Sequence, residues 1–206
     1  LRPGGSALAQ LRTNEIAFGS GWELREFKLR RVGNSGSQLV ARTVAQSVDL
    51  RHDGSELLRS YVESAETDIL EGRHVVPEQF NGKPFLAGSA LVPDPRFSWE
   101  VPGLECTEKK PQFSLNTCNG CHAGDTNTLF MHVSPRRSGT ASNLSSFLTG
   151  DDVRDRSCSD RTTRSFHDLA RRAEDLSDLL RLAMSGTSTS RSFSMFGTPN
   201  LSSRVH

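Results

Sequence analysis

WELREFKLRRVGNSGSQLVARTVAQSV, residues 22–48, is the stretch whose reading decides the fold. From Trp22 to Leu29 apolar and polar residues alternate with one phase slip, the pattern of a half-buried strand carrying a bulge. Gly33-Asn34-Ser35-Gly36 is turn chemistry, and Gln38 to Val48 reads as a second strand, so the two together predict an N-terminal β-hairpin. Working outward, residues 1–6 (LRPGGS) read as loop and residues 7–16 (ALAQLRTNEI) as a short helix with Leu8, Leu11 and Ile16 turned inward. On the other side, Leu58, Tyr61, Val62, Ala65 and Ile69 recur at helical spacing through residues 55–70. Ser55 stands at the N-cap of that helix and Gly72 at its stop.

From Arg73 to Lys110 the punctuation is dense, with Pro77, Pro84, Pro93, Pro95 and Pro102, so regular structure there should be short. Phe80, Phe85, Phe97 and Trp99 are interleaved with those breakers, which implies loops wrapped around something apolar. Residues 165–184 (SFHDLARRAEDLSDLLRLAM) predict the longest helix. Phe166, Leu169, Ala173, Leu176, Leu180 and Met184 lie along one face, and Ser165 with Asp168 approximates a capping box. The Ser/Thr/Gly-rich tail from about residue 185 reads as mobile. The fold class expected is α+β, a loop-rich single domain over 1–206 with an N-terminal hairpin and two main helices.

The chain has 206 residues, 34% of them hydrophobic, and a formal net charge of +1. That balance, without a basic run, argues against nucleic acid as a partner. No apolar run reaches the ~18–20 residues a membrane-crossing helix needs. The chain starts at Leu1, and the expectation is a trimmed product whose export signal has gone. There is no phosphate-cradling Gly-rich loop ending in Lys-Ser/Thr, no His-Glu-x-x-His and no nucleophile elbow, so the common hydrolase and nucleotide-binding sites find no support.

What remains is the cysteine pattern. Four cysteines are present, Cys106, Cys118, Cys121 and Cys158. Cys118-Asn119-Gly120-Cys121-His122 has the spacing that lets two thiols reach the two vinyl groups of one porphyrin while the adjacent imidazole turns to the iron. One covalently bound haem c per chain is the expected cofactor. A zinc site built from Cys118, Cys121, His122 and His132, or disulfides with no metal, are the alternatives. Cys106 and Cys158 make an even remaining pair, a disulfide candidate in an oxidising compartment.

The second axial position decides between electron transfer and ligand chemistry. His132, ten residues beyond His122 in the apolar run Leu129-Phe130-Met131-His132-Val133, is the first candidate. His74, Met184, Met195 or an open iron are the others, and an ordinary hydrogen-bonded core histidine is the plain alternative role for His132. Arg136 and Arg137 follow directly, and a guanidinium pairs well with haem propionates, which makes Arg136 a candidate cofactor contact.

The five-residue motif resembles that of c-type cytochromes, which carry haem outside the cytoplasm in electron transfer. The resemblance covers the motif alone and assigns roles to Cys118, Cys121 and His122 only. Over about residues 7–180 the chain is also similar to secreted proteins of unassigned function from myxobacteria-like bacteria. Trp22 to Phe27, Phe113 to His122 and Phe147-Leu148-Thr149-Gly150 carry that similarity, which implies export and a shared fold. The expected protein is therefore a periplasmic or extracellular monohaem electron carrier rather than an enzyme. It would serve an unidentified redox partner, and self-association into an oligomer or fibre would bring neighbouring haems close. A haem peroxidase with an open iron and a haem-free binding or structural module stand as the competing functions.

Overall fold

The computed structural model describes residues 10–15, 22–32, 36–44, 46–155, 158 and 162–184. Its elements are α+β, with short sheets and helices joined by long irregular segments. The expected hairpin is present. β2 (Trp22–Val32) pairs antiparallel with β3 (Gly36–Arg42), from Glu26 opposite Arg42 to Val32 opposite Gly36.

Two expectations at this end need correction. Gln10–Glu15 is a strand, β1, and not part of a helix; it pairs antiparallel with β2 from Gln10 opposite Lys28 to Glu15 opposite Glu23. Cross-strand pairing outweighs local helix propensity here. The register of both pairings is continuous, so β2 holds no bulge. Glu26 explains the apparent phase slip: this carboxylate shares the inward phase with Leu24 and is fully buried. It is bridged by Arg12 Nε at 3.1 Å and Lys28 Nζ at 3.3 Å.

The helical stretch from Glu56 forms as α1 (Glu56–Ser64) and, after a break at Ala65, α2 (Glu66–Leu70). Ser55 Oγ accepts from Leu58 N at 3.2 Å, a cap worth about 1 kcal/mol, and Gly72 past the end takes φ 66°. Leu58, Tyr61, Val62 and Ile69 bury their faces against Phe85, Trp99 and Phe113. The proline-rich segment is what encloses them. Its regular structure is limited to β4 (Gln79–Phe80), β5 (Lys83–Pro84) and β6 (Ala90–Val92), the last pairing with Trp22–Leu24 on the same edge of β2 as β3. Phe97 packs against this core and also against a second one, formed by Leu24, Val44, Val92, Cys118 and Phe130 beneath the sheet.

α3 (Lys109–Leu115) and α4 (Cys118–Cys121) follow, then α5 (Ser146–Thr149) and the hairpin of β7 (Asp151–Arg154) with β8 (Thr163–Phe166). The last helix, α6 (Asp168–Met184), starts three residues later than expected. Ser165 is not its cap: it belongs to β8, and its hydroxyl donates to the Asp152 carboxylate across the hairpin. Leu169, Leu176 and Leu180, expected inward, are 45%, 57% and 55% exposed. The stripe is amphipathic, but no described element covers it. Residues from 185 on, with the expected mobile tail and Met195, lie outside the described residues. Among the described residues no helix is long and apolar enough to cross a membrane.

Candidate functional site

The Cys-x-x-Cys-His segment folds as a single helical turn because its neighbours dictate one. Thr117 caps α4, its Oγ1 accepting from Gly120 N at 3.0 Å and from Trp99 Nε1 at 2.9 Å while donating to Ser114 O at 2.8 Å. Gly120 is needed for this close turn. A Cβ there would meet the hydroxyl and carbonyl oxygens of Ser114, and Thr117 Oγ1 at 2.7 Å. Beyond the motif, Gly124 passes so close to the Arg96 and Phe97 carbonyls that it too has no room for a side chain.

A buried polar node ties this turn down. Lys110 Nζ reaches Asp125 Oδ1 at 2.6 Å and Ser98 Oγ at 2.7 Å, and Trp99 N donates to Asp125 Oδ2 at 3.3 Å. Ser98 Oγ donates to Asp125 Oδ1 at 2.5 Å, and Ser114 Oγ donates to the same carboxylate. Lys110 is 1% exposed, so the ion pair is inside the protein. Thr126 Oγ1 closes the arrangement by donating to Cys121 O at 2.6 Å.

The two thiols are wholly enclosed. Cys118 packs under the sheet with Leu24, Val92 and Phe130, whereas Cys121 packs with Phe147, Leu148, Val153 and Phe166. Burial pushes both thiols above their usual range. Neutral, inaccessible thiols are poor nucleophiles and poor metal ligands, since both roles need a thiolate. Consistently, among the described residues no three His, Cys, Asp or Glu side chains converge to hold a metal ion, so the zinc set of Cys118, Cys121, His122 and His132 is not assembled.

The histidines behave differently. His122 Nδ1–H donates to Phe130 O at 2.6 Å, which leaves Nε2 as the nitrogen with a lone pair. Phe130 holds that carbonyl in place from a left-handed backbone, φ 70°, a conformation uncommon for a bulky residue. His132 contacts Ser145 Oγ through Nδ1 at 2.9 Å and Cys121 Sγ through Nε2 at 3.4 Å. Burial lowers both imidazoles, with His122 adding to the effect on His132, which falls to about 4.

His122 and His132 line one open groove of ≈ 490 Å³, with Phe130, Met131, Val133, Phe147, Leu148 and Leu169 as its apolar walls. Their ring centroids are 4.6 Å apart. His132, the candidate for the opposite axial ligand, thus stands beside His122 on the same groove.

Arg136 donates to Thr140 O at 2.6 Å in an exposed turn, while Arg172 lines the groove, its Nε 2.6 Å from Asp168 Oδ2. The only sequence signal for Arg172 is its i,i+4 spacing from Asp168 at a helix start. His74 lies away from the groove, 1% exposed among Tyr61 and Phe113, with Nε2 3.3 Å from Asn116 Nδ2, and burial lowers it to about 4. The side chain of Met184 is outside the described residues.

Cys106 is exposed and Cys158 is buried. The fold nevertheless brings them together, Cys158 Sγ lying 3.7 Å from the carbonyl oxygen of Glu105, the residue bonded to Cys106. Comparison with known protein families, curated proteins and solved structures finds no match, and the chain's own geometry carries the functional reading.

Proposed function

We propose that the chain is an exported monohaem c-type protein of electron transfer, with Cys118 and Cys121 as thioether sites and His122 as an iron ligand. The observation that carries this reading is His122, whose Nδ1–H is taken by Phe130 O so that Nε2 is left for a metal, beside an apolar groove of ≈ 490 Å³ with Arg172 at its wall. That donor set suits a flat apolar macrocycle with acidic substituents. Bound haem would supply a one-electron couple. The protein's part is to hold the imidazole tautomer, to line the groove with apolar side chains and to offer a guanidinium to a carboxylate. A thioether carries neither charge nor proton, so full burial at Cys118 and Cys121 suits it. The thiols are enclosed in the folded chain, and their modification belongs before the 129–133 segment and α5 close over them. The expected setting is the periplasm or the extracellular space, with a separate redox protein as partner.

The test is the mass and spectrum of the protein made in an exporting host. A chain heavier by one haem, whose colour survives acid-acetone extraction and gives a c-type pyridine haemochrome, supports the reading. A colourless chain at its polypeptide mass refutes it. A second reading is favoured by one observation, that the two thiols are buried in separate clusters and not side by side on the groove. In it, Cys118 and Cys121 are packing residues of a haem-free module, and the colourless outcome is its expected result.

A further inference from the structure

A second cleft, of ≈ 470 Å³, lies where α3 meets β8 and the first turns of α6. Its floor is apolar and partly aromatic, made by Leu115, Phe147 and Phe166, and its walls carry Gln112, Asn116 and Glu174. Asn116 is 3% exposed. Its Nδ2 faces His74 Nε2 at 3.3 Å, yet its Oδ1 has no hydrogen-bond partner. A buried acceptor left unmet is costly, and one that lines a cleft is met by a donor on whatever enters.

Charge narrows the class of ligand. Arg171 also lines the cleft, but its guanidinium is held by Asp168 Oδ1 through Nε at 3.0 Å and Nη2 at 2.7 Å. Asp168 divides its charge between Arg171 and Arg172, while the amide oxygen of Asn116 and the carboxylate of Glu174 both repel an anion in the cleft. The unmet group at depth is a neutral amide and not a carboxylate, which matches a neutral donor better than an ammonium. Amide and carboxylate side chains lining the same cleft as phenyl rings complement a ring with hydroxyls at its edge and C–H groups on its face.

We propose that this cleft binds a neutral, hydroxyl-rich ligand with one apolar face, the chemistry of a saccharide ring, with Asn116 Oδ1 accepting from a ligand hydroxyl. The site is separate from the groove of His122, although Phe147 forms a wall of both. It does not depend on whether haem is bound.

The experiment is an NMR and calorimetric titration of the full chain with chitotriose, with maltotriose and, as a charged comparison, with hexylammonium. Saturable binding of either trisaccharide is expected, with shifts centred on residues 112–116 and 165–174. Asn116→Ala and Gln112→Ala should each weaken it about tenfold, the scale of one lost buried hydrogen bond to a ligand. Gln112 is only half-buried, so its variant serves if Asn116→Ala fails to fold. The proposal is overturned if neither trisaccharide binds at about 10 mM, the weak limit of a specific site. It is equally overturned if hexylammonium binds the same residues more tightly, or if the folded variants bind as the parent does.

Discussion

Replacing Lys110 by Met should destabilise the protein by about 3–5 kcal/mol, the cost of removing one partner of a buried ion pair. The size follows from the surroundings. Lys110 and Asp125 side chains are 1% and 6% exposed, and the ammonium sits 2.6 Å from Oδ1. Without it, the carboxylate keeps neutral donors from Ser98, Ser114 and Trp99 N but loses its compensating charge. Chains of this kind have total stabilities of about 5–15 kcal/mol, so the loss is a large fraction. With a urea slope of about 2–3 kcal/mol/M, the unfolding midpoint should fall by more than about 1 M. The double variant K110M/D125N removes both charges and should recover part of the loss, giving a coupling of more than about 1 kcal/mol. A single-variant loss below about 1 kcal/mol, or a double variant at the plain sum of the singles, would refute the reading of this node as a desolvated pair that anchors the Cys-x-x-Cys-His turn.

Gly120→Ala should cost about 1–3 kcal/mol, seen as a lower Tm, because the new methyl meets Ser114 and Thr117 atoms at less than contact distance. Under oxidising conditions Cys106 and Cys158 should link, closing a loop of about 50 residues and adding up to about 4 kcal/mol; C106S should abolish the reduction-sensitive part of the stability, and equal midpoints with and without reductant would count against it. Acid lability should reflect His132, which also falls to about 4, and His74. For each the folded value lies at about 4 against an ordinary 6.5, so the unfolded chain binds a proton that the folded one excludes, and stability falls as pH drops from about 6.5 to 4. For His74 the loss is about 3 kcal/mol at most, and H74Q should flatten the stability profile across that window by about one proton; an unchanged slope would show that other groups carry it.

Much of the architecture was legible from the chain because it depends on local chemistry. The Ser55 cap and the Gly72 stop need only their own neighbours. The loop-rich path of residues 73–110 follows from prolines. Where local and long-range preferences conflict, the reading fails. Gln10–Glu15 looks helical alone and becomes a strand because β2 offers an edge, and the end of the 165–184 stretch nearest β7 is drawn into the β7–β8 hairpin, leaving α6 to start at Asp168.

The Cys118 to His122 spacing was set by sequence alone, and with it the class of chemistry worth testing, because five adjacent residues carry their geometry with them. Only the tertiary structure decided what surrounds them. It enclosed both thiols in separate clusters, set the His132 ring 4.6 Å from that of His122, and put Arg172 at the groove. The physical reason is that burial, relative side and charge pairing are properties of segments far apart in the chain. No local spacing records how α5, α6 and the 129–133 segment close over the motif.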